Sequence, residues 1–595
     1  MKHLNLNFNQ RENYLFPQFF IKKGRALLLS LSALICILYV NGQIVSEVSG
    51  GNWSATTTWV GGVVPTSTDN VVIVNGSLVT VDNTAATCAN LTVGQGSSGK
   101  LTYIGGTTAA TLTVNGDMTI ATGGVLDAGV GTGTNSKKLN LGGNTNAGNL
   151  AGNLVINGTL DMGTTSEPAT SAPSGLITFF GANNAMVSGT PILCRFNAIA
   201  VNKGTSSLSQ VDVQVVFSMR APGNTGGTPR LIITSGTFKI SSASTITPYY
   251  SSEIICATAG RLWLNNAGAS IGSVGGSTNA VTVLGELKID AGSFNYGTGG
   301  DIFTVNGTLS IGGGSLSING RVIFGNTSVF NMTAGSFNLD PQNTVNLSGS
   351  SHIIQFGTIV GGTPNVAFTG GTMTIVNPHS SSSTTGIAFM VMATSGTYNV
   401  AGSTIRFGDG VSTKSGSLDG FEINTASAAL GNVIVNNTPS NPTNRFVRLS
   451  GNSTIAGTLT INNAQSEFKL TGYTLNLKGA FLNNGTFTGN ELNSHLILSS
   501  TNAQTFTVGN YTGSSLTQLT INNGSGVTLG GALNTGILNM TLGKLYTTSA
   551  NLISVTGTTA ASITGGSSGS FVNGPYFQIA TYRSNNRIHL LFSSR

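Results

Sequence analysis

The chain has 595 residues, of which 82 are glycine and only 14 are proline, and just 8% of its residues are charged. Apolar residues make up 39% and no Gly-X-Y period occurs, so the composition excludes collagen and also a disordered low-complexity chain, which could not form a buried core. The net charge of +7 arises largely near the two ends, so the middle lacks the basic surface that a nucleic-acid partner requires. We therefore expect no nucleic-acid partner.

Residues 22–42 have the pattern of a secretion signal. A basic cluster at residues 22–25 precedes an apolar run at residues 26–40, and the small residue Gly42 stands before Gln43 at a suitable cleavage position. The apolar run is shorter than the ~20 residues of a membrane span. We expect export, cleavage before Gln43 and no stable membrane span after cleavage, with an uncleaved anchor as the alternative.

The expected mature chain keeps three cysteines, Cys88, Cys194 and Cys256. They are odd in number and far apart, which fits neither a disulfide framework nor a zinc site. We expect them to be small buried apolar residues.

A short phrase recurs along the chain, in which an alternating apolar segment is followed by Asn-Gly or a similar turn. β-Branched residues at every second position and residues that tolerate positive φ are typical of strands and turns. The copies lie at 71–76, 112–116, 154–160, 303–309 and 316–320, with looser copies at 281–287 and 455–461.

Two all-β architectures can use such units. Asn-Gly between alternating strands ordinarily indicates a hairpin, which would favour tandem β-sandwich domains. Self-similar periods of 20–50 residues instead indicate a stacked array, here with coils of ~20–25 residues and a length on the order of 100 Å. We predict a right-handed parallel β-helix, or β-solenoid, with tandem sandwiches as the alternative.

The segment at 51–82 carries a specific string that includes Trp53, Trp59, Pro65 and Asp69. It resembles the opening of secreted repeat proteins of the type IX secretion kind, found in gliding bacteria, and the start of G8-type β domains. The resemblance implies that the segment caps and begins a parallel β-helix, with the two tryptophans covering its open end. It carries no catalytic residue.

The resemblance extends to about residue 575, where such proteins continue into more β structure and a C-terminal sorting domain. Here residues 576–595 lose the repeat chemistry, and we expect that the chain is truncated or out of frame after Pro575. Repeat periodicity also weakens near 165–230 and 376–445, where prolines accumulate.

These patterns predict six regions. They are an N-terminal extension and signal (1–42), a cap and first solenoid block (43–165), a solenoid with a loop-rich start (166–375), an irregular join (376–445), a C-terminal solenoid block (446–575) and an atypical tail (576–595).

Candidate chemistry is sparse. Glu286, Lys288 and Asp290 alternate along one predicted strand, which would place them on one face, and paired carboxylates can cleave glycosidic bonds. The competing interpretation is a solvated strand face with cross-paired charges. A looser group contains Arg406, Asp409, Lys414, Asp419 and Glu422.

Other motifs are incomplete. Residues 297–301 form one solitary copy of a calcium-repeat pattern that works only in tandem, and the five histidines are far apart. We predict no catalytic residue, no metal and no cofactor.

The expected function is that of a non-catalytic secreted or cell-surface, adhesin-like repeat protein whose uncharged Thr, Asn and Ser faces bind glycans or matrix. Alternatives are a carbohydrate-active β-helix enzyme, either a polysaccharide lyase or a hydrolase, and an ice- or crystal-surface binder with Thr ladders.

Overall fold

The structure, a computed structural model, describes most of the chain from Gln43 onward. Within the described ranges the chain forms strands and two short 3-10 helices, Thr56–Thr58 and Ala560–Ser562. The described residues are 43–129, 136–143, 151–163, 175–219, 230–247, 254–272, 281–340, 352–376, 387–412, 420–425, 428–436, 446–507, 516–557, 559–578, 582–584 and 587–589.

The strands are short, and most alternate between buried and partly exposed residues. The first 29 in chain order are β1 (Gln43–Val45), β2 (Gly51–Asn52), β3 (Asn70–Ile73), β4 (Leu78–Val81), β5 (Ala86–Cys88), β6 (Leu91–Val93), β7 (Lys100–Tyr103), β8 (Ala110–Val114), β9 (Met118–Ile120), β10 (Val125–Asp127), β11 (Lys137–Gly142), β12 (Leu154–Ile156), β13 (Thr159–Asp161), β14 (Gly175–Gly181), β15 (Ala185–Ser188), β16 (Leu193–Phe196), β17 (Ala198–Lys203), β18 (Gln210–Val213), β19 (Ser218–Met219), β20 (Leu231–Ile240), β21 (Thr245–Ile246), β22 (Ile254–Leu264), β23 (Ser270–Gly272), β24 (Val281–Val283), β25 (Glu286–Ile289), β26 (Ser293–Val305), β27 (Thr308–Ile311), β28 (Ser315–Phe324) and β29 (Val329–Met332).

The strands that follow continue the same pattern through the region 376–445 and beyond. They are β30 (Ser336–Leu339), β31 (Ile354–Phe356), β32 (Asn365–Phe368), β33 (Thr372–Ile375), β34 (Phe389–Val391), β35 (Thr397–Asn399), β36 (Thr404–Phe407), β37 (Phe421–Asn424), β38 (Ala429–Leu430), β39 (Asn432–Val435), β40 (Phe446–Leu449), β41 (Ser453–Ile455), β42 (Leu459–Ile461), β43 (Glu467–Lys469), β44 (Thr474–Leu477), β45 (Phe481–Asn483), β46 (Thr486–Thr488), β47 (His495–Leu498), β48 (Gln504–Phe506), β49 (Leu516–Asn522), β50 (Val527–Leu529), β51 (Leu533–Leu542), β52 (Leu545–Tyr546), β53 (Ile553–Val555), β54 (Ile563–Gly565), β55 (Val572–Asn573), β56 (Tyr576–Gln578), β57 (Tyr582–Ser584) and β58 (Arg587–His589).

Successive strands do not pair with each other but with strands one coil away. Face A begins with β1, β3, β6, β9 and β12, face B with β2, β4, β7, β10 and β13, and face C with β5, β8, β11, β14 and β17. Pairing between these strands is parallel. The sequence prediction of a parallel β-solenoid is therefore confirmed, and the alternative of tandem antiparallel sandwiches is wrong for the described residues.

Face B is the longest unbroken ladder in the described ranges. It runs without interruption over 21 strands: β2, β4, β7, β10, β13, β16, β19, β21, β23, β26, β28, β30, β33, β36, β39, β42, β45, β48, β50, β52 and β55. At ~4.8 Å between neighbouring strands this ladder is about 100 Å long.

The strand arrangement extends slightly past Pro575. Strand β56 pairs in parallel with β53, so Tyr576–Gln578 belongs to the same sheet as β53. Strands β57 and β58 pair with each other in antiparallel orientation.

The core lies inside the coil, where inward residues stack in register. One face A column begins Val71, Leu91, Met118, and each of these residues is at most 2% exposed. It continues through Leu154, Val187, Val213, Ile240, Leu264, Ile289, Ile311, Met332 and Phe368. Each coil thus covers the apolar surface of its neighbours, which no single coil could bury by itself.

The Asn-Gly phrase marks corners of the coil and not hairpins. Asn75 and Asn157 lie between faces A and B, Asn115 lies between faces C and A, and Asn319 lies between faces B and C. Their side chains bond to adjacent coils: Asn75 Oδ1 accepts from the Gln95 amide at 2.9 Å, and Asn319 Nδ2 donates to the Gly297 carbonyl at 3.1 Å. The hairpin alternative is wrong because the strands on either side of such a turn, for example β3 and β4, pair in parallel with strands of neighbouring coils and not with each other.

Trp53 and Trp59 are buried in the first coil of the described chain, each 1% exposed. Their rings meet edge to face with centroids 4.9 Å apart, and Trp59 Nε1 donates to the Trp53 carbonyl at 2.9 Å. The Trp53 amide donates to the Thr80 carbonyl in the next coil at 2.8 Å, which ties the pair to face B.

Candidate functional site

The outer side of face B carries one continuous column of hydroxyl side chains. Over eight consecutive coils every residue at this register position is Ser or Thr, and we name this set the hydroxyl column. Its members are Ser218, Thr245, Ser270, Ser293, Ser315, Ser336, Thr372 and Thr404.

The strands position these hydroxyls by alternation. In β26, for example, Phe294 and Tyr296 point into the core, so Ser293 and Asn295 must point outward. Ser218 and Thr245 are exposed and the other column members are partly exposed. Two pairs bond along the column: Ser293 Oγ donates to Ser270 Oγ at 3.1 Å, and Ser336 Oγ donates to Ser315 Oγ at 3.0 Å.

A second polar column runs beside the first, two residues further along each strand. It contains Asn295, Ser317, Asn338 and Thr374, followed by Arg406. Between Ser270 and Thr374 both columns therefore consist of small uncharged residues.

Two ion pairs lie next to the N-terminal end of the hydroxyl column. Asp127 pairs with Lys100 at 2.5 Å, and Asp161 pairs with Arg195 at 3.3 Å, all on the outer side of face B. Burial raises the pKa of the Asp161 carboxyl, while the Arg195 guanidinium opposes that rise. Arg195 is the register neighbour of Ser218, where the neutral surface begins.

The predicted Glu286–Lys288–Asp290 group does share one face, the outer side of face A. Glu286 Oε2 lies 2.5 Å from Arg261 Nε, and Asp290 Oδ2 lies 2.8 Å from Lys288 Nζ. Both carboxylates are therefore engaged in ion pairs.

Trp263 stands at the centre of this group. Lys239 and Lys288, its register neighbours on either side, place their Nζ atoms 4.7 and 4.1 Å from its ring centroid. Its Nε1 donates to Asp290 Oδ2 at 3.0 Å. These contacts match the cross-paired strand face, in which charge pairs and cation–π contacts join successive coils.

The looser group of charged residues between Arg406 and Glu422 does not form a cluster within the described residues. Asp409 accepts hydrogen bonds from the Ser412 hydroxyl and from the Ser412 and Val411 amides, the last two at 2.7 and 2.9 Å. Burial raises the pKa of Asp409, but these hydrogen bonds, that of the Ser412 hydroxyl first, outweigh burial and lower it. Glu422 instead pairs with Arg448 in the next coil. Lys414 and Asp419 lie outside the described residues.

The glycine-rich string at 297–301 lies inside β26, where the register shifts between Tyr296 and Asp301. The strand turns there from face B to face C, and Gly297 adopts a φ of +89° to make the bend. In the ranges that the structure describes, no three His, Cys, Asp or Glu side chains group as metal ligands.

Cys88 and Cys194 are buried, as expected, whereas Cys256 is partly exposed. Burial raises the pKa of Cys194 to about 12 and that of Cys256 to about 11, so these thiols are poor nucleophiles near neutral pH.

Sequence reasoning missed the role of Trp263 and the continuity of the hydroxyl column. Both depend on the register between coils, and the spacing of register partners varies from 18 residues (Val527 to Leu545) to 38 (Lys137 to Gly175). For the hydroxyl column the sequence does carry one signal: the string Ala-Gly-Ser-Phe occurs at 291–294 and again at 334–337, which places Ser293 and Ser336 in equivalent positions.

Comparison of the chain with protein-family models, with curated proteins and with solved structures gives no match. Along the described part of the chain, no helix has the length and apolarity needed to cross a membrane.

Proposed function

We propose that this chain is a non-catalytic secreted or cell-surface scaffold of the adhesin-like kind, which binds extracellular glycans or matrix through face B. The observation that carries the proposal is the hydroxyl column, in which eight successive coils present Ser or Thr at one register position beside a parallel column of Asn, Ser and Thr.

Hydroxyl and amide groups suit a polyhydroxylated ligand because each can both donate and accept hydrogen bonds. The bond between Ser293 and Ser270 leaves acceptor capacity on both oxygens and the Ser270 proton available to a ligand. A single contact of this type contributes only about 1 kcal/mol. Repetition along the rod lets one long polymer engage many such contacts at once, which raises the overall affinity.

Export is part of the same proposal and rests on the signal pattern at residues 22–42. N-terminal sequencing of protein recovered from the medium or cell surface of an expressing bacterium should give Gln43 as the first residue. Recovery only inside the cell with an intact N-terminus would contradict export.

A polysaccharide panel separates the scaffold from a carbohydrate-active enzyme. The full chain should be retained on at least one immobilised polysaccharide and release no oligosaccharide from any of them. Turnover that Glu286→Gln or Asp290→Asn abolishes would overturn the non-catalytic proposal and favour a polysaccharide lyase or hydrolase, because those changes remove the paired carboxylates.

A further inference from the structure

A cavity of about 490 Å³ opens beside the turns that lead from β44 to β45 and from β47 to β48. Its lining includes Ala456, Lys478, Ala480, Thr501, Asn502 and Thr505. This volume lies within the ~300–1,000 Å³ typical of small-ligand sites. All six side chains belong to exposed residues, so the cavity is accessible from solvent.

The hollow exists because the corner residues are small while the backbone around them is held in place. Ala456, Gly479 and Ala480 contribute almost no side-chain volume to it. Beneath them Gln504 is buried and its amide is fully used: Nε2 donates to the Leu477 and Gly479 carbonyls at 3.2 and 2.6 Å. Its Oε1 accepts from the Ser500 amide and from Asn523 Nδ2 at 3.2 and 3.0 Å.

The turn that forms one wall is fixed as well. Asn523 Nδ2 donates to the Asn502 carbonyl at 2.8 Å, and Ser525 Oγ donates to the Thr501 carbonyl at 2.8 Å. The cavity is therefore preformed, and a ligand need not order it on binding.

Several polar side chains at the cavity have no protein partner within the described residues. Lys478 Nζ makes no ion pair there, and the side chains of Thr501, Asn502 and Thr505 make no hydrogen bond there. One ammonium group beside two hydroxyls and an amide can form an ion pair and hydrogen bonds with a ligand that carries one negative charge and several hydroxyls.

The cavity lies beside the outer surface of face B. Ala480 and Thr505 directly precede Phe481 and Phe506, which are register partners on that face. Thr505 in turn pairs with Thr528 on the same outer column. A polymer lying along face B can thus place one of its units in the cavity.

We infer that this cavity binds an acidic sugar residue, with the Lys478 ammonium meeting its carboxylate and Thr501, Asn502 and Thr505 meeting its hydroxyls. The inference rests on the proposed glycan-binding function and adds the class of sugar to it. Because Lys478 is exposed, the charge contribution should weaken as salt is added.

The test is calorimetric titration of the full chain with trigalacturonate and with the uncharged galactose trisaccharide. We expect trigalacturonate to bind at least about 10-fold more tightly at low salt, in line with one charge-assisted contact. Lys478→Gln should remove that preference, and Lys138→Gln, at an exposed lysine of face C, should preserve it. Ala480→Phe should block both ligands by filling the hollow, with circular dichroism to confirm the fold.

Equal affinity for the two trisaccharides, or a preference that survives Lys478→Gln, would overturn the inference while leaving glycan binding on face B intact. If neither trisaccharide nor any polysaccharide of the panel binds, the proposed function fails together with the inference.

Discussion

Lys203 is a fully buried lysine at the end of β17, where its Nζ donates to the Ala151 and Phe180 carbonyls at 2.9 and 3.0 Å. Burial lowers the pKa of this ammonium group to about 8, although the Asp117 carboxylate acts in the opposite direction. Between pH 8 and the ordinary lysine pKa near 10.5, the unfolded chain binds more protons than the folded one. Stability contributed by this residue therefore rises with pH through that window.

The variant Lys203→Met should lack this pH dependence of stability, because it keeps the apolar stem and removes the titrating group. We expect the parent protein to gain roughly 2–3 kcal/mol of unfolding free energy relative to the variant between pH 7 and pH 10. Denaturant unfolding of both proteins at each pH measures the difference, and the buried thiols contribute equally to both. A difference independent of pH would show that Lys203 does not titrate as described.

At the residue scale the sequence was most informative where chemistry is local. The alternation of Glu286, Lys288 and Asp290 correctly predicted a shared face, because alternation is a property of one strand. It could not predict that Arg261, one coil earlier, would pair with Glu286, because that contact depends on the spacing between coils.

The coil is the repeating element, and its interior aromatic residues stack across coils. Phe481 and Phe506 lie parallel with centroids 4.7 Å apart, and Phe487 meets Phe481 edge to face at 5.2 Å. The Phe481–Phe506 contact joins successive coils through the core, and the Phe481–Phe487 contact joins two strands of one coil, so we expect each such side chain to stabilise more than its own strand.

Phe481→Ala should cost about 3–5 kcal/mol, because it leaves a cavity between packed rings. Leu482→Ala is the matched control, since Leu482 is the next residue on the same strand but is 52% exposed. We expect the control to change the unfolding free energy by less than about 0.5 kcal/mol. Thermal or denaturant unfolding of both variants distinguishes them, and equal losses would mean that the outer side chain also packs.

At the level of the strands and turns, the sequence predicted that the repeated phrase forms a strand followed by a turn. It did not predict which part of the neighbouring coil each turn contacts. The same Asn-Gly dipeptide occurs at Asn75, Asn115 and Asn157, yet Asn115 occupies a different corner from the other two. Hydrogen bonds such as that from Asn115 Nδ2 to the Cys88 carbonyl at 3.1 Å cross between coils and have no counterpart in local sequence.

The whole molecule is a rod with chemically different faces. Its length follows from the number of coils and the ~4.8 Å strand spacing, which is why the sequence could give the order of 100 Å without the register. The surfaces could not be assigned in the same way: Ser293 and Ser336 become neighbours of Ser315 only after three corners of each coil have been placed. The cavity near Lys478 likewise depends on residues from several coils.

If the hydroxyl column binds glycan, removal of its hydroxyls must weaken binding, and one variant with a control tests this. The ladder variant Ser270→Ala, Ser293→Ala, Ser315→Ala and Ser336→Ala removes hydroxyls from face B without adding bulk. The control Thr92→Ala and Thr119→Ala removes outer hydroxyls from neighbouring coils of face A.

Equilibrium binding of both variants to the polysaccharide that retains the full chain is the measurement. We expect at least a 10-fold loss of affinity for the ladder variant, about 1.4 kcal/mol, and no loss for the control. Unchanged binding by the ladder variant, or an equal loss in both, would show that the hydroxyl column is not the glycan-binding surface.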